Sequence, residues 1–277
     1  ISLENKVRLI NLLSDSGISA IETGSFVSSK WVPQMAQTSE VFGSIQRYPG
    51  VSYSALTPNL RGLHDAIEAR VEEVAVFAAS TESFSKKNIN CSIDDSLDIF
   101  SKVCKKAKEK GIKVRGYLSC VFGCPYEGDV KIEKVLQVAS RLIEIGCYEV
   151  SLGDTIGRGT PIKAKELVNL LKTSIPEKRL AVHFHDTFGL GLANILSVIE
   201  EGIHTVDSAV SGLGGCPYAK GASGNVATED VLYMLDSMGI KTSININKVL
   251  EASWFIADVL GRDPISKVAR ALKSRRN

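Results

Sequence analysis

The chain has 277 residues, of which 44% are hydrophobic, so it is long enough to bury a full-size core. Its 33 basic and 31 acidic residues leave a net charge of +2, which argues against a nucleic-acid-binding protein. No apolar run approaches the ~20 residues needed to span a bilayer, and no signal or transit peptide is recognisable. We therefore expect a globular protein that acts on neither nucleic acid nor membrane.

The chain begins in a helical pattern and then alternates short β-branched runs with amphipathic stretches. Strands are predicted at 18–23, 51–56, 73–78, 113–119, 148–152, 180–185 and 204–210. Helices are predicted at 3–13, 32–46, 63–69, 92–110, 132–145, 163–173, 192–201, 228–238 and 248–260. This alternation predicts an α/β fold with a parallel sheet covered by helices.

The position of the polar residues distinguishes two kinds of parallel sheet. They follow many strands rather than collecting at one switch point, and no GxGxxG motif follows an early strand. This favours a (β/α)8 TIM barrel over an open doubly wound sheet. A barrel has eight strands, so we expect its first strand to lie upstream of Ile1. Residues 1–277 would then form one TIM-barrel domain with extra C-terminal helices.

His183 and His185 form the most informative motif, an HxH pair in a predicted strand. Side chains alternate along a strand, so both imidazoles point to one face. Such a pair at the end of a barrel strand predicts a divalent-metal site, and the alternative is a hydrogen-bonded pair of core histidines. Imidazole combined with oxygen ligands suits Mg²⁺ or Mn²⁺, although zinc or iron would also accept two histidines.

A glycine-rich segment, GLGGCPYAKGASGN at 212–225, follows the last predicted strand. Its glycines permit backbone conformations that other residues avoid. Cys216 lies within it, and a thiol in an exposed segment can act as an acid, a base or a nucleophile; the alternative is an incidental thiol. Asn225 ends the segment, where its side chain can either cap the next helix or offer an amide oxygen to a metal.

Several motifs together resemble the 3-hydroxy-3-methylglutaryl-CoA (HMG-CoA) lyase family. They are GLGGCPYA at 212–219, SFVSSKWVPQM at 25–35, KNINCS at 87–92, GCPYEG at 123–128 and SLGDTIG at 151–157. The resemblance extends over essentially the whole chain. It implies a β/α barrel that uses a divalent cation, Mg²⁺ or Mn²⁺, to cleave (S)-HMG-CoA into acetyl-CoA and acetoacetate, a reaction of leucine degradation and ketone-body formation.

The resemblance also implies roles for individual residues. The expected metal ligands are His183, His185 and Asn225, joined by an aspartate that would lie upstream of Ile1 beside an enolate-stabilising arginine. The expected catalytic residues are Cys216, Asp154, Glu22 and Tyr117, with Asp154 ranked ahead of Glu22 as the partner in proton transfer. The expected substrate contacts are Asn88, Ser92, Ser25 and Thr155, the first two toward the CoA arm.

Two alternatives to a lyase remain at this point. A related metal-dependent barrel, such as isopropylmalate or homocitrate synthase, shares the HxH motif but condenses acetyl-CoA with an oxo acid. The second alternative is a barrel that has lost catalysis and serves as a binding or scaffold protein. The family resemblance further implies a homodimer that binds a CoA thioester, located in the cytoplasm of a bacterium or in the mitochondrial matrix of a eukaryote.

Overall fold

A computed structural model describes residues 1–27, 37–214 and 224–273 of the chain. Its strands are β1 (Ala20–Ser25), β2 (Ser52–Leu56), β3 (Glu73–Ala79), β4 (Lys113–Ser119), β5 (Gly123–Cys124), β6 (Gly128–Asp129), β7 (Val150–Asp154), β8 (Leu180–Phe184) and β9 (Thr205–Val206). Within the described ranges, a parallel seven-stranded sheet runs in the order β1-β2-β3-β4-β7-β8-β9, and β5 pairs antiparallel with β6. The strands of the main sheet therefore follow one another in sequence order, as in a barrel.

Helices connect the strands and cover the sheet. They are α1 (Leu3–Asp15), α2 (Thr38–Ser44), α3 (Leu60–Glu68), α4 (Glu82–Ile89), α5 (Ile93–Glu109), α6 (Ile132–Glu144), α7 (Pro161–Lys172), α8 (Gly191–Ile199), α9 (Thr228–Ser237), α10 (Ile246–Leu260) and α11 (Lys267–Ala271). For example, α5 packs on β3 and β4, while α6 packs on β4 and β7. One continuous apolar cluster joins the strands to these helices. Among the described residues, no helix has the length and apolar character needed to cross a membrane.

The seven strands predicted from the sequence are all present, and the α/β class is confirmed. The last strand was predicted too long, at 204–210, whereas β9 covers only Thr205–Val206. The chain beyond it pairs differently, since Ala209 bridges to Ala227 and a short helical turn follows at Val210–Gly212. The short pair β5–β6 and the helices α4 and α11 were not predicted.

The C-terminal helices are attached to the sheet by two buried carboxylates at the start of α9. Glu229 is fully buried and accepts the backbone N–H of Ser211 at 2.9 and 3.1 Å. The neighbouring Asp230 accepts a hydrogen bond from the Ser266 hydroxyl at 2.7 Å and from the Val268 backbone at 2.9 Å, which holds the beginning of α11. The chain before the glycine-rich segment is thus held by a side chain from the helix that follows it.

Burial raises the pKa of Glu229 to about 7, although the backbone hydrogen bond from Ser211 lowers it in part. A carboxyl that holds its proton more tightly in the folded protein than in the unfolded chain favours folding at low pH, and this contribution disappears as the pH rises through the folded-state pKa. The free energy of unfolding of the native protein should therefore fall relative to that of Glu229→Gln, by up to about 3 kcal/mol, as the pH rises from about 4.5 to about 7.

Urea unfolding at several pH values measures this difference. Glu133→Gln, which removes an exposed carboxylate from α6, is the matched control and should show no such trend. A difference between Glu229→Gln and the native protein that stays constant with pH would contradict the expectation.

Candidate metal centre

His183 and His185 lie side by side at the carboxyl end of β8. Their ring centroids are 5.6 Å apart, whereas Phe184 between them is buried on the opposite face and packs against Phe122 at 5.7 Å. The side chain of His183 is 32% exposed, so a ligand can reach it. The predicted alternation is confirmed, and it presents both imidazoles to the same space.

Asn225 is brought to the histidines by the backbone. It forms an isolated antiparallel bridge with His185, and the amide N–H of Asp186 donates to the carbonyl of Gly224 at 2.7 Å. The side-chain nitrogen of Asn225 donates to the carbonyl of Leu213 at 3.0 Å, and the Asn225 side chain contacts the His183 ring. All three predicted metal ligands are therefore neighbours in the structure.

The donor set fits a divalent cation. Nδ1 of His185 is buried and has no hydrogen-bond partner among the described residues, which is costly unless something binds that ring. Burial, and secondarily the charge of His183, lower the pKa of His185 to about 4, so the ring is neutral and able to bind a metal at neutral pH. In the described ranges, no three histidine, cysteine or acidic side chains form a metal site by themselves. The set offered here is two imidazoles and one amide oxygen.

Arg115, Glu149, Ser151 and Asp207 form an ionic cluster that contacts His183 through Asp207. Nη1 of Arg115, on β4, lies 2.9 Å from both carboxylate oxygens of Asp207, and its Nε donates to Glu149 at 2.7 Å. The hydroxyl of Ser151 donates to Oδ2 of Asp207 at 2.7 Å, and Nδ1 of His183 lies 3.3 Å from the same oxygen. Burial raises the pKa of Asp207, but the positive charge of Arg115 and the contact with His183 lower it to about 2.

The same contacts shift the pKa of His183. Burial lowers it, whereas the hydrogen bond and the charge of Asp207 raise it, and the net effect is a pKa above the ordinary value. The ring also packs edge-on against Tyr117, with centroids 5.8 Å apart.

Glu22 and Tyr117 form a hydrogen-bonded pair next to His183. The guanidinium of Arg115 donates to the Tyr117 hydroxyl at 3.0 Å, and that hydroxyl in turn hydrogen-bonds the carboxylate of Glu22. Burial raises the pKa of Tyr117 strongly, so the phenol stays protonated and donates. Glu22 lies on β1; burial and the charge of Asp207 raise its pKa, while the hydrogen bond from Tyr117 and the charge of His183 lower it. A carboxyl in this position is able to exchange a proton with a ligand.

Asp154 lies at the carboxyl end of β7, and its proton-transfer role stays a prediction. It is fully buried at the end of β7, and its two oxygens accept backbone N–H groups from Arg158 at 2.9 Å and Gly159 at 2.8 Å. Burial raises its pKa to about 6, and the backbone hydrogen bonds lower it in part. These contacts fix the loop that carries Thr155, whose hydroxyl accepts the backbone N–H of Cys120 at 2.8 Å.

The other predicted substrate contacts are Asn88, Ser92 and Ser25, which lie at the ends of α4, α5 and β1. Asn88 is exposed near the end of α4, and Ser92 caps α5 by accepting the backbone N–H of Asp95 at 3.1 Å. Ser25 is buried at the end of β1, where its hydroxyl accepts the backbone N–H of Val27 at 3.2 Å. These roles stay predictions. Cys216, with most of its motif, and residues 28–35 of the SFVSSKWVPQM motif lie outside the described residues.

Arg115 and Ser151 were not among the predicted site residues. A charged residue within the strand segment VRGYL at 114–118 and a hydroxyl within VSLG at 150–153 were signals that strand interiors contained polar groups. Arg115 and Ser151 are both buried in the sheet, and Asp207 directly follows the last strand. Buried charges of this kind are usually paired, so Arg115 by itself predicted an acidic partner.

Gly191, the first residue of α8, lies where a larger residue would disturb the metal centre. A Cβ at this position would overlap Cγ2 of Val226, the neighbour of Asn225, and would lie 3.0 Å from the Asp186 carboxylate. We expect Gly191→Ala to lower the free energy of unfolding by about 1–3 kcal/mol and to weaken metal binding. Chemical unfolding and Mn²⁺ titration measure the two effects.

Gly43→Ala is the control for this substitution. Gly43 lies in α2, and a Cβ there would meet no atom within 4 Å, so the change should be neutral or stabilising by up to about 1 kcal/mol. Equal free energies of unfolding for Gly191→Ala and the native protein would contradict the expectation, because they would mean that Val226 can move aside without loss of stability.

Comparison with protein-family models gives a match of residues 1–256 to the HMGL-like family. The chain is 56% identical to the cytoplasmic 3-hydroxy-3-methylglutaryl-CoA lyase of Rattus norvegicus over 266 residues, covering 96% of this chain and 78% of the relative. It is 53% identical to the mitochondrial hydroxymethylglutaryl-CoA lyase of Bos taurus, covering 96% and 82%. A third relative is the 3-hydroxy-3-isohexenylglutaryl-CoA/hydroxy-methylglutaryl-CoA lyase of Pseudomonas aeruginosa, 53% identical with coverage of 99% and 92%.

Solved structures give the same result. The crystal structure of hydroxymethylglutaryl-CoA lyase from Pseudomonas aeruginosa has a TM-score of 0.97 at 53% identity, covering 99% of this chain and 92% of that one. An HMG-CoA lyase from Acinetobacter baumannii in complex with coenzyme A and 3-methylmalate has a TM-score of 0.93 at 35% identity, covering 98% and 88%. The predicted TIM-barrel fold is thereby confirmed.

Proposed function

The chain belongs to the HMGL-like family and is a lyase, and on this basis we propose that it cleaves (S)-HMG-CoA into acetyl-CoA and acetoacetate. The observation that supports this most strongly is the convergence of His183, His185 and Asn225 at the carboxyl end of β8, where a barrel enzyme binds its substrate. The relatives and solved structures are named as lyases, which favours cleavage over the condensation of a synthase and over a binding protein without activity.

His183, His185 and Asn225 would hold the divalent cation, for which Mg²⁺ or Mn²⁺ suits the nitrogen and oxygen donors. When bound, the cation supplies Lewis-acid polarisation and a template for the hydroxyl and carboxylate oxygens of the substrate. Backbone pairing brings Asn225 next to His185, whose ring is neutral at neutral pH.

Glu22 is the described residue best placed to remove the hydroxyl proton of the substrate. Tyr117 fixes the carboxylate by a hydrogen bond, which orients it as a proton acceptor. As the proton leaves, the hydroxyl carbon becomes the ketone of acetoacetate, and the electrons of the C2–C3 bond form the enolate of acetyl-CoA. Asp154 is the second candidate for this proton transfer; its oxygens accept backbone N–H groups from the loop beside His185.

Cys216 is proposed to deliver a proton to the enolate carbon, giving acetyl-CoA. This role rests on the family resemblance of the GLGGCPYA motif. Asn88, Ser92, Ser25 and Thr155 are retained as proposed substrate contacts. Of these, Thr155 follows Asp154 and contacts the ring of His185 through its backbone.

A substrate panel tests the proposed function. The protein is incubated with Mg²⁺ and HMG-CoA, and acetoacetate and acetyl-CoA are quantified by mass spectrometry; in parallel, acetyl-CoA is offered with 2-oxo acids. Equal amounts of acetoacetate and acetyl-CoA from the first mixture support the proposal. Condensation products from the second mixture without cleavage in the first would overturn it. Adding 3-hydroxy-3-isohexenylglutaryl-CoA, which is in the name of the Pseudomonas relative, tests how long a C3 substituent is accepted.

We also propose that the working form is a homodimer, which light scattering in solution measures. The relatives include lyases named cytoplasmic and mitochondrial. On this pattern we place the protein in the cytoplasm of a bacterial source or in the mitochondrial matrix of a eukaryotic one, and cell fractionation is the test.

A further inference from the structure

Both carboxylate oxygens of Asp207 accept hydrogen bonds from neighbouring side chains. Its side chain is 18% exposed, and Nη1 of Arg115 lies 2.9 Å from both of its oxygens. The hydroxyl of Ser151 donates to Oδ2 at 2.7 Å. Because Arg115 and Ser151 are buried on different strands, β4 and β7, the carboxylate is fixed in orientation from two sides.

The remaining contact of Oδ2 is Nδ1 of His183, at 3.3 Å. A carboxylate beside a guanidinium only accepts hydrogen bonds, so this contact requires the hydrogen of the imidazole to be on Nδ1. A neutral imidazole with its hydrogen on Nδ1 has its lone pair on Nε2, which is the form that binds a metal. The hydrogen bond thus selects both the tautomer and the direction of the free nitrogen.

We propose that Asp207, held by Arg115 and Ser151, is a positioning residue that fixes His183 as the Nδ1–H tautomer and presents its Nε2 to the divalent cation. The inference deepens the proposed function, since it relies on that function for the presence of a cation. It assigns a task to Asp207, Arg115 and Ser151, which the family resemblance did not.

His183 and His185 differ in what their Nδ1 atoms contact, so the inference applies to His183 alone. His183 has a fixed carboxylate on its Nδ1, whereas Nδ1 of His185 is buried with no hydrogen-bond partner among the described residues. Removal of the Asp207 carboxylate should therefore change the tautomer of His183 and leave that of His185 as it was. A cluster that served only to stabilise the sheet would leave both tautomers unchanged when it was weakened.

Nitrogen NMR reads the tautomer directly. The chain has only 4 histidines, so a protein labelled with ¹⁵N-histidine gives a resolvable long-range ¹H–¹⁵N spectrum above pH 8. We expect His183 to show the Nδ1–H pattern in the native protein and a mixture or the Nε2–H pattern in Asp207→Ala. An unchanged His183 pattern in Asp207→Ala, or an Nε2–H pattern in the native protein, would overturn the proposal.

Binding of Mn²⁺ alone, followed by electron paramagnetic resonance, gives a second readout. Asp207→Ala is expected to weaken Mn²⁺ binding by about 10–100-fold, the usual effect of losing the carboxylate partner of a metal-binding histidine. Asp207→Asn should lose less affinity, because its amide oxygen still accepts from Nδ1–H. If Asp207→Ala does not fold, Asp207→Asn and Ser151→Ala, with intact packing, still report a graded loss; native affinity in both would contradict the proposal.

Glu200→Gln is the matched control. It removes an exposed carboxylate that pairs with Lys165 at 2.7 Å, and it should leave Mn²⁺ affinity and both histidine tautomers unchanged. Different results would overturn the inference and the proposed function. A native protein that binds Mn²⁺ through an Nδ1–H His183 but cleaves no HMG-CoA would overturn the function alone. A native protein that cleaves HMG-CoA while Asp207→Ala keeps its tautomer and Mn²⁺ affinity would overturn the inference alone.

Discussion

Replacing His185 by alanine is expected to reduce turnover of HMG-CoA by about 10³-fold or more and Mn²⁺ affinity by more than about 100-fold. The reason is that a directly bound ligand contributes more than its hydrogen-bond partners, whose loss alone costs about 10–100-fold. Lewis-acid polarisation of the substrate oxygens contributes several kcal/mol of transition-state stabilisation, and it is lost with the cation. Mn²⁺ titration together with steady-state kinetics measures both quantities.

His64→Ala is the control for this prediction. The side chain of His64 is 74% exposed on α3, so its removal should change neither metal binding nor turnover. Circular dichroism confirms that both variants are folded. Metal affinity of His185→Ala equal to that of the native protein would eliminate the HxH pair as the metal centre.

Replacing Cys216 by serine is expected to lower kcat by about 10²–10⁴-fold, the range that a proton-transfer group contributes. A serine hydroxyl has nearly the same size but is a far weaker acid than a thiol, so KM and Mn²⁺ affinity should change little. The measurement is a kinetic comparison at saturating Mg²⁺. The separation of kcat from KM distinguishes a role in chemistry from a role in binding.

Cys91→Ser is the matched control, because Cys91 is a partly exposed cysteine between α4 and α5. It should keep native kcat. If Cys216→Ser also retained native kcat, Cys216 would have no part in the proton transfer.

The fold was predictable because its signals are local and repeated. Lys113–Ser119 was predicted with its observed bounds, since its β-branched and aromatic residues stand between a glycine turn and a buried loop. The last strand was predicted too long because His204–Val210 has strand-like composition, whereas the backbone after Val206 pairs with the distant residue Ala227. Such long-range pairing leaves no local pattern in the sequence.

The site was predictable where spacing determines geometry. The two-residue spacing of His183 and His185 fixes a shared strand face. For Asn225 the sequence left capping and metal binding open, and the family resemblance, confirmed by relatives at 53–56% identity, favoured metal binding. The contacts of Asp154 were not predictable, because an aspartate at a strand end serves equally for catalysis or for loop capping. The structure adds its hydrogen bonds with Arg158 and Gly159, and the catalytic role stays a prediction.

No role was predicted for Arg115 or Ser151, and the cause is again distance along the chain. Arg115 and Asp207 are separated by 92 residues, and only the curled sheet brings them to 2.9 Å. A buried arginine predicts an acidic partner but not which one. The tautomer proposed for His183 therefore had to come from the structure.

The most direct test of the central claim, that this chain is a metal-dependent lyase acting through His183, His185 and Asn225, is a depletion and restoration assay. The purified protein is treated with EDTA, exchanged into metal-free buffer and supplied with HMG-CoA, and acetoacetate is quantified before and after Mg²⁺ or Mn²⁺ is added. We predict no acetoacetate in the depleted protein and recovery on addition of either cation, with no recovery in His185→Ala. Full acetoacetate formation by the depleted protein, or equal recovery in His185→Ala, would contradict the claim.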